Sequence, residues 1–115
     1  NDESVVETFR NCDFIGVDIT VIAELFSGFS LGGKEKRNRQ ELEAFLNSPR
    51  VEMVLHDLET AEYYALIVRR LKAKGRPIPT NDIWKAANAM KHGCALYSFD
   101  GHFREIEGLL LLSKL

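Results

Sequence analysis

The sequence predicts an α/β fold in which a parallel sheet is covered by helices on both faces. Short apolar runs, such as residues 14–17 and 51–55, alternate along the chain with longer amphipathic segments. Strands that alternate with helices pair in parallel, and near-continuous apolar strands are typical of a sheet that is buried on both faces. The chain has 115 residues, and we expect it to form a single domain over 1–115.

The predicted elements follow one another without an internal boundary or repeat. They are helices over 2–11, 21–27, 34–46, 58–74 and 80–92, and strands over 14–17, 51–55, 94–98 and 109–112.

Local signals set the ends of the first elements. Acids in the first turn favour a helix from residue 2. Thr20 is expected to cap the second helix and Gly28 to end it, because hydroxyl side chains satisfy free N–H groups and glycine tolerates the closing conformation. Pro49 stops the third helix, whose expected inward side chains are Leu42, Phe45 and Leu46.

The second half carries the same kind of signal. Asp57 is expected to cap the long helix and Gly75 to end it. Thr80 or Asn81 opens the last helix, which Gly93 closes. The predicted inward side chains of the long helix are Leu58, Ala61, Ala65, Val68 and Leu71.

Composition indicates a globular chain without a membrane segment. Hydrophobic residues make up 45% and charged residues 28% of the sequence. The longest apolar run, 109–112, falls far short of the roughly 20 residues that span a bilayer. No secretory leader pattern is present. Cys12 and Cys94 have no CxxC spacing and no histidines at zinc-ligand spacing, so we expect reduced, buried thiols in a cytoplasmic protein.

Three acids stand where a strand is predicted to end or a helix to start: Glu24, Asp82 and Asp100. Ligands of open α/β sheets bind outside the carboxyl ends of the strands. Acids gathered there repel one another, and a hard cation such as Mg²⁺ relieves the repulsion. The pattern therefore indicates a metal-dependent enzyme acting on phosphate esters. Each acid alone has a simpler explanation as a solvent-facing helix residue, a helix-dipole partner or an Asp-Gly turn, respectively.

Basic residues form two clusters that suit a polyanionic substrate. The candidates for RNA contact are Lys34, Lys36, Arg37, Arg39 and Arg76. The second cluster also contains Arg69, Arg70, Lys72 and Lys74. The net charge of −2 favours neither presence nor absence of nucleic acid. Solvated helix faces are the alternative explanation of both clusters.

Taken in order, these motifs resemble the PIN domain, specifically toxin ribonucleases of the VapC type, over nearly the whole chain. Residues 19–28 look like the family segment that carries its acidic Glu, and 37–46 resemble the basic helix after it. Residues 75–83 resemble the linker before the central Asp. Residues 96–103 look like the final motif, with Ser98 where Thr is usual.

The resemblance implies an endoribonuclease that uses Mg²⁺ or Mn²⁺. Asp82 and Asp100 would hold the metal, and Glu24 would bind it or orient the nucleophile. Ser98 and Asn81 would hydrogen-bond a ligand or a metal water, although a backbone-bonded hydroxyl and a helix cap are their respective alternatives. The resemblance implies three partners: a structured RNA substrate such as tRNA, a cognate antitoxin and a second copy of the chain. It also implies a cytoplasmic protein that is not bound to a membrane.

The chain departs from the family at its start. Such proteins begin with a strand ending in Asp within a Leu-Asp-Thr-like motif, and neither Asp2 nor Asp13 lies in that context. We therefore expect that this sequence lacks the first strand and that its metal site is incomplete. The alternative is a non-catalytic PIN-like binding module that has lost one metal-ligand Asp. A receiver-like signalling domain fits less well, because no phosphoacceptor Asp and later Lys form a suitable pair.

Overall fold

The computed structural model describes residues 3–98 and 101–112 and consists of helices that connect parallel strands. The predicted α/β class is thus confirmed. The elements in order are α1 (Glu3–Arg10), β1 (Ile15–Asp18), α2 (Ile19–Leu31), α3 (Glu35–Leu46), β2 (Val51–Val54), α4 (Leu58–Lys74), α5 (Thr80–Lys91), β3 (Leu96–Tyr97), a 3₁₀ helix (Gly101–Glu105) and β4 (Leu111–Leu112). They group into two compact units, Asn1–Val54 and Leu55–Leu115.

In the first unit, β1 pairs in parallel with β2, and the register places Ile15 opposite Val51. The strands approach closely at Gly16, where an added Cβ would lie 3.0 Å from Val54 Cγ2. Arg50 reinforces the pair from the side, because its Nη1 donates to the Cys12 carbonyl at 2.6 Å. The β1 strand therefore ends at a fixed position, with Asp18 as its last residue.

The second helix differs from its prediction at both ends. Asp18, rather than Thr20, is the N-cap of α2, and its Oδ1 accepts a hydrogen bond from the Thr20 N–H at 2.6 Å. The helix passes through Gly28 and ends at Leu31, where the Gly32 N–H bonds to the Phe29 carbonyl. Asp18 is both the last residue of β1 and the N-cap, and its carboxylate reaches the free N–H group of Thr20 two residues later; aspartate is also preferred over threonine as an N-cap.

The third helix buries none of its side chains. Leu42 and Leu46 are half-buried, and Phe45, which was predicted to face inward, is 37% exposed. An amphipathic pattern thus identifies the helix but overstates how much of its apolar face is covered.

The second unit is built around α4 and α5. Asp57 caps α4 through a reciprocal capping box with Thr60, and Gly75 ends the helix in the left-handed region at φ 67°. Both predicted ends are confirmed. Lys91 is the last residue of α5 and Gly93 follows with φ 63°. The core of this unit consists of Ile67, Leu71, Ile83, Ala86, Ala87, Phe103 and Ile106.

The predicted inward face of α4 is wrong except at Leu71. The buried positions are Thr60, Ile67 and Leu71. Leu58 is 83% exposed, and Ala61, Ala65 and Val68 are also exposed. The face of α4 that packs inward instead carries Thr60, whose hydroxyl bonds to the buried Asn88 amide, and the half-buried Tyr63 and Tyr64, which pack against the core. The spacing of apolar residues does not indicate these polar and aromatic positions.

The chain after the 3₁₀ helix is attached to α4 by basic side chains. Arg70 Nη1 donates to the Glu107 carbonyl at 3.0 Å, and Lys74 Nζ donates to the Glu105 carbonyl at 2.7 Å. The Cβ of a residue other than glycine at position 108 would lie 3.2 Å from Arg70 Nη1. Beyond this, β4 pairs in parallel with β3.

Two further expectations concern chemistry and location. Cys12 and Cys94 are free thiols as expected, but both are half-buried rather than buried. Within the described ranges, no helix combines the length and the apolar character that a bilayer crossing requires.

Candidate functional site

The strongest candidate site lies at the N-terminus of α5. The helix begins at Thr80 as predicted, but Pro79 is its N-cap, and no side chain caps it. The Asp82 and Ile83 N–H groups both bond to the Pro79 carbonyl. Asp82 occupies the first turn, where the helix dipole favours a negative charge. The residue is only 7% exposed, which is unusual for an aspartate.

Each carboxylate oxygen of Asp82 has its own partner. Lys85 Nζ lies 3.3 Å from Oδ1, and His102 Nε2 lies 2.5 Å from Oδ2. The histidine nitrogen donates, because an ionised carboxylate only accepts hydrogen bonds. The carboxylate of Asp82 is therefore held between an ammonium group and an imidazole, which offset the cost of its burial.

Both partners sit on rigid supports. On α5, the residues after Lys85 are Ala86 and Ala87, which are fully buried and let the helix pack closely in the core. His102 lies on the 3₁₀ helix beside Phe103, which is 2% exposed, and the two rings are 5.2 Å apart. The buried phenyl ring thus fixes the segment that brings the imidazole to Asp82.

Asp82 supplies one carboxylate of the kind that binds a hard divalent cation. A carboxylate offers about four lone-pair positions, and the two observed contacts use two of them. Oxygen ligands are those that Mg²⁺ and Mn²⁺ prefer. Within residues 3–98 and 101–112, no three acidic, histidine or cysteine side chains form a cluster that could hold a metal ion. Asp100, the second predicted metal ligand, lies outside these described residues.

The other predicted site residues are distributed over both units. Glu24 is exposed on α2 in the first unit. Asn81 is exposed beside Asp82 in the first turn of α5, so it is a neighbour of the buried acid and not the N-cap of the helix. Ser98 is half-buried directly after β3.

Three candidate residues were not singled out by the sequence analysis. Lys85 and His102 contact Asp82, and Asp18 is a 9% exposed acid at the carboxyl end of β1. The signal for Asp18 was available, because an apolar run ends directly in an acid followed by Ile-Thr. Lys85 could have been found from its i,i+3 spacing to Asp82. His102 follows Asp100 closely enough in sequence to lie near the rim of the predicted site, but its contact with Asp82 spans 20 residues and had no local signal.

The basic candidates for RNA contact are exposed and weakly paired. On α3, Arg37 Nε lies 3.1 Å from Glu41 Oε1, and Arg39 Nε lies 3.2 Å from Glu35 Oε2. Arg39 also lies over the ring of Phe26, 4.0 Å from its centroid. Exposed pairs of this kind contribute little stability, so they can exchange a carboxylate for a phosphate. Lys34, Lys36 and Arg76 are exposed as well.

A second polar cluster joins the start of α4 to the end of α5. Lys91 Nζ lies 2.8 Å from Asp57 Oδ2, and the buried Thr60 hydroxyl lies 3.0 Å from Asn88 Oδ1. The Lys91 ammonium first, and then the Thr60 N–H and hydroxyl, hold the pKa of the Asp57 carboxyl well below its usual range. This cluster links α4 to α5, so its role is to stabilise the packing of the two helices.

The cluster continues into an aromatic stack. Asn88 Nδ2 lies 3.0 Å from His56 Nδ1, which orients the imidazole. That ring stacks on Trp84 at 4.2 Å with an interplanar angle of 11°, and Tyr64 approaches Trp84 at 4.4 Å. Trp84 thus packs within its own unit.

Comparison with known proteins agrees with this architecture. The model of the PIN domain family matches residues 1–109. The chain belongs to the PIN domain family. A curated relative, Ribonuclease VapC4 of Mycobacterium tuberculosis, is 30% identical over 88 residues, which cover 76% of this chain and 68% of that protein.

Solved structures have a fold similar to that of this chain. One is VapBC2 from Rickettsia felis bound to a promoter DNA fragment, with 26% identity, a TM-score of 0.83, and coverage of 98% of this chain and 84% of that chain. Another is VapBC-5 from Mycobacterium tuberculosis, a member of the VapBC family of toxin-antitoxin systems, with 23% identity, a TM-score of 0.65, and coverage of 84% and 77%. The second supports the fold alone.

Proposed function

We propose that this PIN domain protein is a metal-dependent endoribonuclease toxin of the VapC type, which hydrolyses RNA phosphodiester bonds and is neutralised by a cognate antitoxin. The observation that carries the proposal is the buried Asp82, whose oxygens are held by Lys85 and His102 in a PIN fold. The relative named Ribonuclease VapC4 supports the activity, and the likeness to the VapBC2 complex of Rickettsia felis, at 26% identity, supports the antitoxin.

In this proposal Asp82 and Asp100 hold Mg²⁺ or Mn²⁺, and Glu24 binds the ion or orients the attacking water. When bound, such an ion lowers the pKa of a coordinated water and stabilises the charge that develops on the phosphate. Asp82 is positioned for the role, because its carboxylate is fixed before any ligand arrives. Asn81 and Ser98 lie next to predicted ligands and would orient water or a ligand carboxylate.

The substrate and the assembly follow from the same reasoning. The exposed cations Lys34, Lys36, Arg37, Arg39 and Arg76 would attract the phosphates of a structured RNA such as tRNA. Two free thiols agree with a reducing compartment such as the cytoplasm. We expect a homodimer, with a basic side chain of the antitoxin pairing with the site acids.

The proposal is tested by cleavage of a mixed tRNA pool in Mg²⁺ or Mn²⁺, with EDTA as the metal-free control. Asp82→Asn and Asp100→Asn should each reduce cleavage by about a hundredfold or more, since each removes a charge that the metal requires. Thermal unfolding should show that both variants remain folded. Asp13→Asn, an exposed acid, is the matched control and should cleave like wild type.

Full cleavage by both Asn variants would refute the assigned roles. RNA binding without any metal-dependent cleavage by the wild type would favour the non-catalytic binding module.

A further inference from the structure

We propose that Lys85 is a further catalytic residue, which neutralises Asp82 in the free protein and binds a substrate phosphate once a divalent ion occupies the acid. The inference rests on the proposed nuclease function and deepens it. It makes metal binding and RNA binding cooperative, because the Lys85 ammonium that opposes the metal at Asp82 also attracts the substrate phosphate.

The first observation is the depth of the lysine. The side chain of Lys85 is only 16% exposed, and that of Asp82 is 10% exposed. An i,i+3 pair on a helix surface stabilises by a few tenths of a kcal/mol and stays in water. The pair of Lys85 and Asp82 is largely buried, so the ammonium group interacts with neighbouring charges through a lower effective dielectric constant than it would in water.

The second observation is the number of positive groups around one carboxylate. His102 contacts Oδ2 and Lys85 contacts Oδ1, so both oxygens of the carboxylate have a protein partner. The ammonium adds a full positive charge 3.3 Å from Oδ1. A divalent cation that approaches the same carboxylate meets this charge and is repelled by it.

A phosphodiester resolves the conflict. Its negative charge attracts both the divalent ion and the ammonium, so the three charges at Asp82 become compatible when RNA is present. RNA should therefore raise the affinity for the metal, and by linkage the metal should raise the affinity for RNA by the same factor. In the transition state, where phosphate charge grows, the ammonium contributes most.

The test separates these effects by replacing Lys85 with a neutral side chain of similar length. Without RNA, Lys85→Met should bind Mn²⁺ about tenfold more tightly than wild type, measured by calorimetry or by the electron paramagnetic resonance of free Mn²⁺. The same variant should lose about a hundredfold in kcat for RNA cleavage at saturating metal, which is typical of removing one charge-stabilising donor. If Lys85 served only in packing, replacing it with methionine would not strengthen Mn²⁺ binding.

Lys91→Met is the matched control. Lys91 lies on the same helix, its side chain is 12% exposed, and it also bridges an aspartate, Asp57. It is about 13 Å further along the helix than Asp82. Lys91→Met should lower thermal stability but leave both the Mn²⁺ affinity and kcat unchanged.

Lys85→Arg keeps the charge and should keep the wild-type Mn²⁺ affinity. If Lys85→Met does not fold, Lys85→Gln serves as the neutral variant and is compared with Lys85→Arg.

An unchanged Mn²⁺ affinity in the folded neutral variants overturns the inference, whatever their activity. Wild-type kcat in those variants overturns it as well. If wild type cleaves RNA and the variants behave like wild type, only the role of Lys85 falls. If wild type neither binds Mn²⁺ nor cleaves RNA, the proposed nuclease function falls with it.

Discussion

Replacing Thr60 with valine isolates the buried hydroxyl that joins α4 to α5. Thr60 is fully buried, and valine has nearly the same shape, so the change creates no cavity. The hydroxyl lies 3.0 Å from Asn88 Oδ1, 2.9 Å from Asp57 Oδ1 and 3.3 Å from both the Asp57 N–H and Lys91 Nζ. The hydroxyl has a single proton, which it can donate either to Asp57 Oδ1 or to Asn88 Oδ1.

The expected loss follows from what each partner can do afterwards. The side chain of Asp57 is 57% exposed, so water replaces its contact. Asn88 is 4% exposed, and its carbonyl loses a donor inside the protein, which costs about 1–3 kcal/mol. Half of the capping box is also lost, at about 0.5–1 kcal/mol. We expect Thr60→Val to lower the free energy of unfolding by about 1.5–4 kcal/mol.

The assay is urea unfolding at pH 7 followed by the fluorescence of Trp84, the single tryptophan of the chain. Its ring stacks on His56, which bonds to Asn88, so the probe reports on the unit that contains the change. Thr60→Ser keeps the hydroxyl, removes one methyl group and should cost only about 1 kcal/mol. A valine variant as stable as the serine variant, or more stable, would refute the reasoning.

Two other variants test charge and backbone conformation. Asp57→Asn keeps a capping oxygen but removes the charge; because the pKa of Asp57 is lowered in the folded state, the charge stabilises above the unfolded pKa of about 4, and this contribution is lost as the pH falls further. The stability difference between wild type and this variant should therefore be constant from pH 7 to 5 and shrink below pH 4 in acid titrations, and parallel curves to pH 2 would contradict it. Gly75→Ala should destabilise by about 1 kcal/mol because φ is 67°, whereas Gly28→Ala, inside α2 with open space at its Cβ, should stabilise by about 0.5–1 kcal/mol. Urea midpoints that move in the same direction for both glycine variants would show that backbone conformation does not decide the outcome.

Local chemistry explains which parts of the fold were predictable. The ends of α4 were predicted because Asp57 and Gly75 act on groups within one turn of themselves. Parallel pairing followed from the alternation of apolar runs and helices. The cap of α2 was assigned to Thr20 because Asp18 was not considered, although a carboxylate directly after a strand satisfies the same rule.

Long-range packing explains the rest. The buried face of α4 depends on Asn88, which is 28 residues from Thr60 and offers an amide oxygen to a hydroxyl. An apolar pattern cannot indicate that a threonine is buried in preference to a leucine. The candidate site was likewise predictable only in part. Asp82 was predicted as a site residue from its place at a helix start, but its contact with His102 forms only when the 3₁₀ helix packs beside α5.

The anchoring of the C-terminal segment by Arg70 and Lys74 has a consequence for any map of the RNA-binding surface. These cations hold main-chain carbonyls of Glu107 and Glu105, so neutralising them weakens attachment of the tail as well as removing positive charge. If only retention on an RNA column is measured, a variant that loosens residues 105–107 cannot be distinguished from one that loses a phosphate contact. Lys72, an exposed neighbour on the same helix, supplies the reference substitution that distinguishes the two outcomes.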